Sequence, residues 1–305
     1  MKKKVLKKIV SRWQIYLLLL LPLTHLIIFS YVPMGGLVLA FKKYNVGAGI
    51  WGSPWAGFDN FKRFFQSFKF ALTLKNTIIL SLYSLVASFP IPILFALLLN
   101  AMRGKKYKKV IQTVTYIPHF ISTVVMVGLL FQILNNRSGI YGSIYTRLTK
   151  EIAPSLLADA RSFRHLYVWS GIWQSTGFSA IIYIAALSGV DQSLHEAAKI
   201  DGASRFQRLL HIDIPAITPT ISIMLILAIG SLMGVGYEKV LLMQNSINQN
   251  YSEIISTYVY KVGLASGVSD FSLSTAIGLF NSVINFILLV AANWAGKHLN
   301  GNSVF

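Results

Sequence analysis

Cysteine is absent from this chain of 305 residues, so neither a disulfide nor a thiolate metal site can hold its fold or carry its chemistry. Charge is nearly as scarce. Charged residues make up 12% of the sequence, about half the share of an average soluble domain. Acidic residues are scarcest of all: Asp and Glu number 10 against 28 Lys and Arg, for a net charge of +18. A phosphate loop is missing. The Gly-Lys pairs Gly104-Lys105 and Gly296-Lys297 have Leu99 and Ala291 where the first glycine belongs, and neither is followed by Ser or Thr. Any nucleotide must bind another polypeptide. His195 and Glu196 begin like a zinc-protease helix, but Lys199 stands where the second histidine ligand is required. His25, His119, His165, His211 and His298 are scattered, and no carboxylate pair lies within an apolar run. No metal site and no catalytic residue is expected.

What the chain has instead is apolar length. Hydrophobic residues make up 54% of it. Runs near the roughly 20 residues that a bilayer demands fall at 13–39, 72–100, 109–134, 163–190, 219–243 and 272–296. The expectation is an all-α integral membrane protein with six transmembrane helices. Pro118-His119 interrupts the third run, and Gly230, Gly234 and Gly236 loosen the fifth. Pro22, Pro90 and Pro92 also sit inside spans, where neighbouring groups can satisfy the freed carbonyls.

The positive charge has a pattern that argues against nucleic acid. Lys2, Lys3, Lys4, Lys7, Lys8 and Arg12 precede the first run, and Arg103, Lys105, Lys106, Lys108 and Lys109 fill the short loop after the second. Basic clusters beside span ends mark the cytoplasmic side. Both termini, the 101–109 loop and the loop after the fourth run are therefore expected in the cytoplasm, with anionic lipid as a secondary contact. The start resembles a signal peptide, but its apolar run is too long and more spans follow; it is expected to be retained. In the first outer loop Phe58, Phe61, Phe64, Phe65 and Phe68 recur at helical spacing. Such a helix lies in the headgroup plane or packs on the outer ends of the bundle. Glu238 and Lys239 are expected near the outer end of the fifth span, reaching for headgroups.

The loop after the fourth run is the most specific segment. Ser193 and Glu196 have the spacing of a capping box, and Gly202 offers a left-handed helix end. A second short amphipathic stretch follows, with Ala203, Phe206, Leu209 and Leu210 on one side, until Pro215 and Pro219 stop it. Two short helices joined by small residues make a knob that another protein can grip.

Glu196-Ala197-Ala198, Gly202 and the Ile212-x-x-Pro215 register resemble the EAA loop of permease subunits in bacterial binding-protein-dependent ABC importers. Phe29 to Gly36, Ser53 to Gly57, Asp59 to Phe61, Gly236 to Val240, Thr257 to Tyr260 and Ser274 to Phe280 are similar to the complex-sugar and polysaccharide branch of that family. Lys239 is a small departure, since a polar uncharged residue is more usual there. The resemblance implies a bacterial plasma membrane, the type I importer permease fold and half of a pore shared with a second, related permease as a heterodimer. It also implies a cytoplasmic ATPase dimer that binds ATP and magnesium, and an extracytoplasmic sugar-binding protein. This chain itself would hold no cofactor. Its coupling residues would be Glu196, Ala197, Ala198, Asp201, Gly202, Ala203, Phe206 and Pro215, and its cargo an oligosaccharide from polysaccharide breakdown. The alternative is a secondary transporter or channel independent of ATP, but no inverted repeat and no intramembrane carboxylate supports it.

Polar residues within spans are costly unless they face protein or water. Ser274, Gly278, Asn281 and Asn285 share one helical stripe, at offsets of four, seven and eleven. Together with Asn76, Tyr83, Trp169, Trp173, Gln174 and Tyr237 they are candidates for the sugar path. Helix packing explains the amides equally well, and interfacial placement the aromatics. The expected division is an N-terminal part, 1–71, a permease core, 72–296, with the coupling loop 191–219, and a cytoplasmic tail, 297–305.

Overall fold

The computed structural model describes residues 11–102, 104–265, 267 and 269–300. The expected topology signals Lys2, Lys3, Lys4, Lys7, Lys8 and Arg103, and the tail beyond residue 300, lie outside the described residues. Among the described residues there is no β-strand, only an isolated bridge between Lys42 and Trp55.

The chain enters through α1 (Trp13–Leu26), whose helix continues as wider and then tighter turns to Phe41. A short α2 (Asp59–Gln66) precedes the long α3 (Phe68–Ser88) and α4 (Pro90–Ala101). After a break come α5 (Lys105–Tyr116), α6 (Thr123–Ile133) and α7 (Ser162–Ser188). Then follow α8 (Gln192–Ile200), α9 (Arg205–Arg208), α10 (Ile214–Gly230), α11 (Tyr237–Met243) and the closing α12 (Phe271–Asn300). Trp13–Phe41, Phe68–Ala101, Arg205–Gly230 and Phe271–His298 are each long and apolar enough to cross a membrane. Two bent pairs, Lys105–Phe120 with Thr123–Ile133 and Ser162–Ser188 with Gln192–Ile200, bring the number to six if each is one span.

Three expectations are corrected. The third run is not a straight span. It bends by 103° after Phe120, where Pro118 removes a ladder donor and the Ser122 side chain caps the new helix by accepting from Val125 N–H. The fifth span is shifted toward the N-terminus: it occupies Arg205–Gly230, and α11 is a separate helix beyond a break. Pro215 and Pro219 lie inside that run rather than stopping it. A π turn, Leu209–Asp213, directly precedes α10 and places the carbonyl four residues before Pro215, that of His211, within a widened turn. Such a turn relieves the clash a proline ring otherwise makes there. The same arrangement recurs at the π turn Ile27–Tyr31 ahead of Pro33.

Contacts divide the chain into two units. One comprises residues up to Gln66 together with Lys261–Leu279. None of the residues of α1 is buried. In the same unit Asn60 fixes α2 by donating from Nδ2 to the carbonyls of Ala40 (2.9 Å) and Lys42 (3.0 Å). The Phe41 ring lies within 6 Å of Trp55, Phe58 and Phe61. The phenylalanine-rich helix ends at Gln66, so Phe68 begins α3 instead of extending α2.

The second unit comprises Ser67–Tyr260 and the chain from Phe280 onward. Its centre is α7, which packs against α3, α4 and α10. One apolar cluster joins Leu80, Met126, Phe163, Val168, Val240 and Ile254; a second joins Ala96, Leu97, Ala180, Tyr183, Leu187 and Ile217. Several hydroxyls inside the helices are satisfied locally: Thr77, Thr115, Ser175 and Thr218 each donate to the carbonyl four residues earlier, whereas those of Ser81 and Ser84 are buried without a partner. That bonding suits a medium without water.

The closest approach of α7 to α5 depends on Gly177, where an added Cβ would sit 2.3 Å from the Thr115 carbonyl oxygen. Forcing that contact open costs roughly 1–3 kcal/mol, the usual range for overpacking. Gly177→Ala is therefore expected to lower the melting temperature of the detergent-solubilised protein, whereas Gly128→Ala, with nothing within 4 Å, leaves it unchanged; differential scanning fluorimetry compares them.

Candidate functional site

The loop after α7 folds as a rigid hairpin. Its first element, α8, is inclined 71° to α7. The expected capping box from Ser193 to Glu196 does not form. Asp191, in an extended conformation, takes the cap by accepting from Ser193 N–H at 2.9 Å. The helix therefore starts earlier, and Glu196 is left exposed. The bonds from Ser193 hold the Asp191 carboxyl below its ordinary pKa.

The far end of α8 follows the expected rule. Gly202 has φ +79, Ala203 N–H reaches Ala198 O at 2.8 Å and Gly202 N–H reaches Lys199 O at 3.2 Å. These two bonds are the Schellman pair, which closes a helix on a left-handed residue. One residue later a capping box appears: Ser204 Oγ accepts from Gln207 N–H (3.3 Å) while Gln207 Oε1 accepts from Ser204 N–H (2.7 Å). The turn between α8 and α9 is thus bonded on both sides. At its tip Ile200 is 87% exposed and Phe206 67% exposed. Ala197 and Asp201 are also exposed, whereas Ala198 and Ala203 are half-buried, and Pro215 faces outward at the start of α10. Behind the hairpin, His195 Nε2 and Asn100 Nδ2 each lie 3.3 Å from Oδ1 of Asp213, which is buried.

The candidate path residues fall into different settings. Asn76, 1% exposed, donates to the carbonyls of Asn250 and Glu253 at 3.0 Å and accepts from Arg164 at 2.8 Å. Its bonding capacity is largely engaged by protein. Gln174 donates to Ile121 O at 2.8 Å, bridging the break before α6. Asn285 Oδ1 accepts from Met233 N–H at 2.9 Å, and Asn281 Nδ2 donates to Met233 O at 3.3 Å. Both amides therefore support the irregular backbone between α10 and α11. The Asn281 Oδ1 is buried without a partner. Ser274, in the other unit, is buried and bonds its own helix at Phe271 O.

The aromatics are more open. Tyr83 OH accepts from Trp169 Nε1 at 3.0 Å and lies 2.9 Å from His165 Nδ1. Trp169 and Trp173 stand one turn apart, more than half exposed, along a groove of about 350 Å³ lined also by Met126, Leu130 and Ile133. Tyr237 stacks on Tyr260 at 5.9 Å. A larger hollow of about 660 Å³ lies among α3, α4, α7 and α10, with Ser88, Ser175 and Ser179 set among Phe89, Phe178 and Met224.

Sequence reasoning missed two charged sites. Lys239 does not reach for headgroups. It is buried, donates to Tyr167 O at 2.7 Å and sits over the Tyr167 ring. Glu253, 1% exposed, pairs with Lys69 across the chain. The signal for Glu253 was its rarity, as one of only 10 acidic residues.

Removing the Asn285 amide strands the Met233 N–H, at a cost of about 1–3 kcal/mol for a buried donor. Asn285→Leu is therefore expected to lower the melting temperature of the solubilised protein. Unchanged stability with lost transport in liposomes would instead assign Asn285 to the path.

Residues 88–300 match the family described as "Binding-protein-dependent transport system inner membrane component". Protein LplB of Bacillus subtilis (strain 168) is 44% identical over 295 residues, 97% of this chain and 92% of that protein. The polygalacturonan/rhamnogalacturonan transport system permease protein YteP of the same organism is 41% identical over 304 residues, 100% of this chain and 94% of that protein. Among solved structures, a bacterial ABC transporter involved in the import of the acidic polysaccharide alginate superimposes with a TM-score of 0.88 at 36% identity, covering 97% of this chain and 99% of that one.

Proposed function

The chain belongs to the binding-protein-dependent transport system inner membrane components, and from that premise we propose that it forms half of an oligosaccharide pore driven by a separate ATPase. As a multi-pass permease subunit of an ABC importer it is a transport protein and not an enzyme. Its cargo is an oligosaccharide released from a polysaccharide. The relatives named for polygalacturonan/rhamnogalacturonan and for alginate support that class. The other half of the pore is a second, related permease, and an extracytoplasmic binding protein delivers the sugar. Both chain ends lie in the cytoplasm.

The observation that carries the coupling reading is the hairpin α8–α9. It is short, bonded at every turn, tipped with exposed apolar side chains and inclined to the span it continues. A force applied to such an element reaches α7 and α10 without being absorbed in a loose loop. Glu196, Ala197, Ala198, Asp201, Gly202, Ala203, Phe206 and Pro215 form the surface and turn that the ATPase grips. ATP and magnesium belong to that partner; this chain supplies the lever. The polar and aromatic path candidates, among them Tyr83, Trp173 and Tyr237, line the route of the sugar. In this reading the lever, 191–219, belongs to a permease core of 72–296, with an N-terminal part of 1–71 before it and a tail of 297–305 after it.

Gly202 tests the reading. Its left-handed conformation disfavours a side chain by roughly 1–2 kcal/mol, more for a β-branched one, although nothing lies within 4 Å of its missing Cβ. Gly202→Val in the assembled importer is expected to cut binding-protein-stimulated ATP hydrolysis at least tenfold, with membrane insertion intact, and Gly202→Asn, which tolerates that conformation, to retain most of it. Stimulation at the unmodified level in the valine variant would refute coupling through this hairpin.

A further inference from the structure

A cleft of about 370 Å³ opens between α8, the π turn and the inner end of α4. Its basic groups are Lys199, Arg205 and Arg208, with His195 beside them. Its one carboxylate, Asp213, is engaged by His195 and Asn100 and also feels the charge of Arg208, so one anion faces several cationic groups. Arg208 Nε is buried with no hydrogen-bond partner. A donor in that state is unfavourable until an acceptor reaches it. Charge and geometry together ask for an anion.

The surroundings say what carries it. Ile200 and Phe206 project from the same hairpin, at a turn fixed by the Schellman pair and the capping box. A lipid surface is met by an extended amphipathic helix face. A two-residue apolar tip whose chain neighbours Lys199 and Arg205 line a basic cleft is the complement of a protein surface with a socket and an acidic side chain. We propose that the cleft receives an Asp or Glu side chain of the cytoplasmic ATPase, seated between Lys199 and Arg208 while Ile200 and Phe206 enter an apolar socket next to it. This rests on the coupling role proposed above. It adds the chemistry of the contact: a carboxylate from the partner supplements Asp213, the single anion that this chain sets against Lys199, Arg205 and Arg208.

The test uses the complete importer, tagged on this chain, expressed with its partner subunits and solubilised. A water-soluble carbodiimide joins an amine to a carboxylate in contact with it and adds no spacer. Mass spectrometry of the linked peptides is expected to find Lys199 joined to an Asp or Glu of the ATPase. Lys199→Gln combined with Arg208→Gln should reduce ATPase retention at least tenfold at moderate salt, and Lys199→Glu alone should reduce it further than Lys199→Gln. Lys199 is exposed, so its single variants test the contact without threatening the fold. Links from Lys199 to this chain's own carboxylates only, or undiminished retention in the double variant, overturn the proposal. So does loss of tightly bound phosphatidylglycerol, seen by native mass spectrometry, with ATPase retention unchanged; that result makes the cleft a lipid site. The parent reading fails separately. Absence of ATPase from the unmodified complex removes the coupling role itself, whereas an uncoupled Gly202→Val beside a fully retained Lys199→Gln/Arg208→Gln removes only the cleft.

Discussion

A backbone that enters hydrocarbon must satisfy its own polar groups, and nearly every irregularity in this chain is arranged around that constraint. At three of the interruptions a side chain takes over the lost bond. Ser122 caps the helix after the 103° bend, and Gln174 holds the carbonyl of Ile121 just before it. Asn281 and Asn285 engage both backbone groups of Met233 where α10 gives way to α11. Asp191, Gly202 and Ser204 do the same work at the hairpin.

This reframes what polarity within a permease means. An amide in a span invites assignment to the sugar route, yet Asn76 is surrounded by acceptors and donors of its own chain. The aromatic side chains, by contrast, keep much of their surface open. Trp169, Trp173 and Tyr83 are linked by one hydrogen bond from Trp169 and by their positions along α3 and α7. Their ring faces are available in a way the buried amides are not. Ser88, Ser175 and Ser179 place hydroxyls in a hollow that shares α7 with their groove.

The features legible in the sequence share a short range. The Gly202 helix end spans six residues, from Ala198 to Ala203, and simple stereochemistry determines it. The existence and placement of most spans follow from apolar length alone. What escaped reading depends on partners far along the chain. Lys239 looked like an interfacial lysine because Tyr167, its acceptor, is 72 positions away. The Asp191 cap displaces the Ser193–Glu196 box because the extended backbone at Asp191 brings its carboxyl to Ser193 N–H and starts the helix earlier. The fifth span begins earlier than its apolar run indicates because a π turn lets the helix pass through Pro215, a residue that in sequence reads as a terminator.

That π turn also sets a phase. A π turn holds one residue more than an α turn would, so every side chain after it is rotated by roughly 100° relative to an uninterrupted α-helix. Ile217, Ser222 and Ile226 face the interior of their unit only with that offset in place. In sequence comparisons the turn therefore behaves as a concealed insertion. A relative that lacked the proline and the extra residue would present a different face of the same helix to the interior of its unit, with no gap elsewhere to announce it. Single-residue length changes between Leu209 and Asp213 are for this reason more disruptive than substitutions there: they re-aim a whole membrane helix.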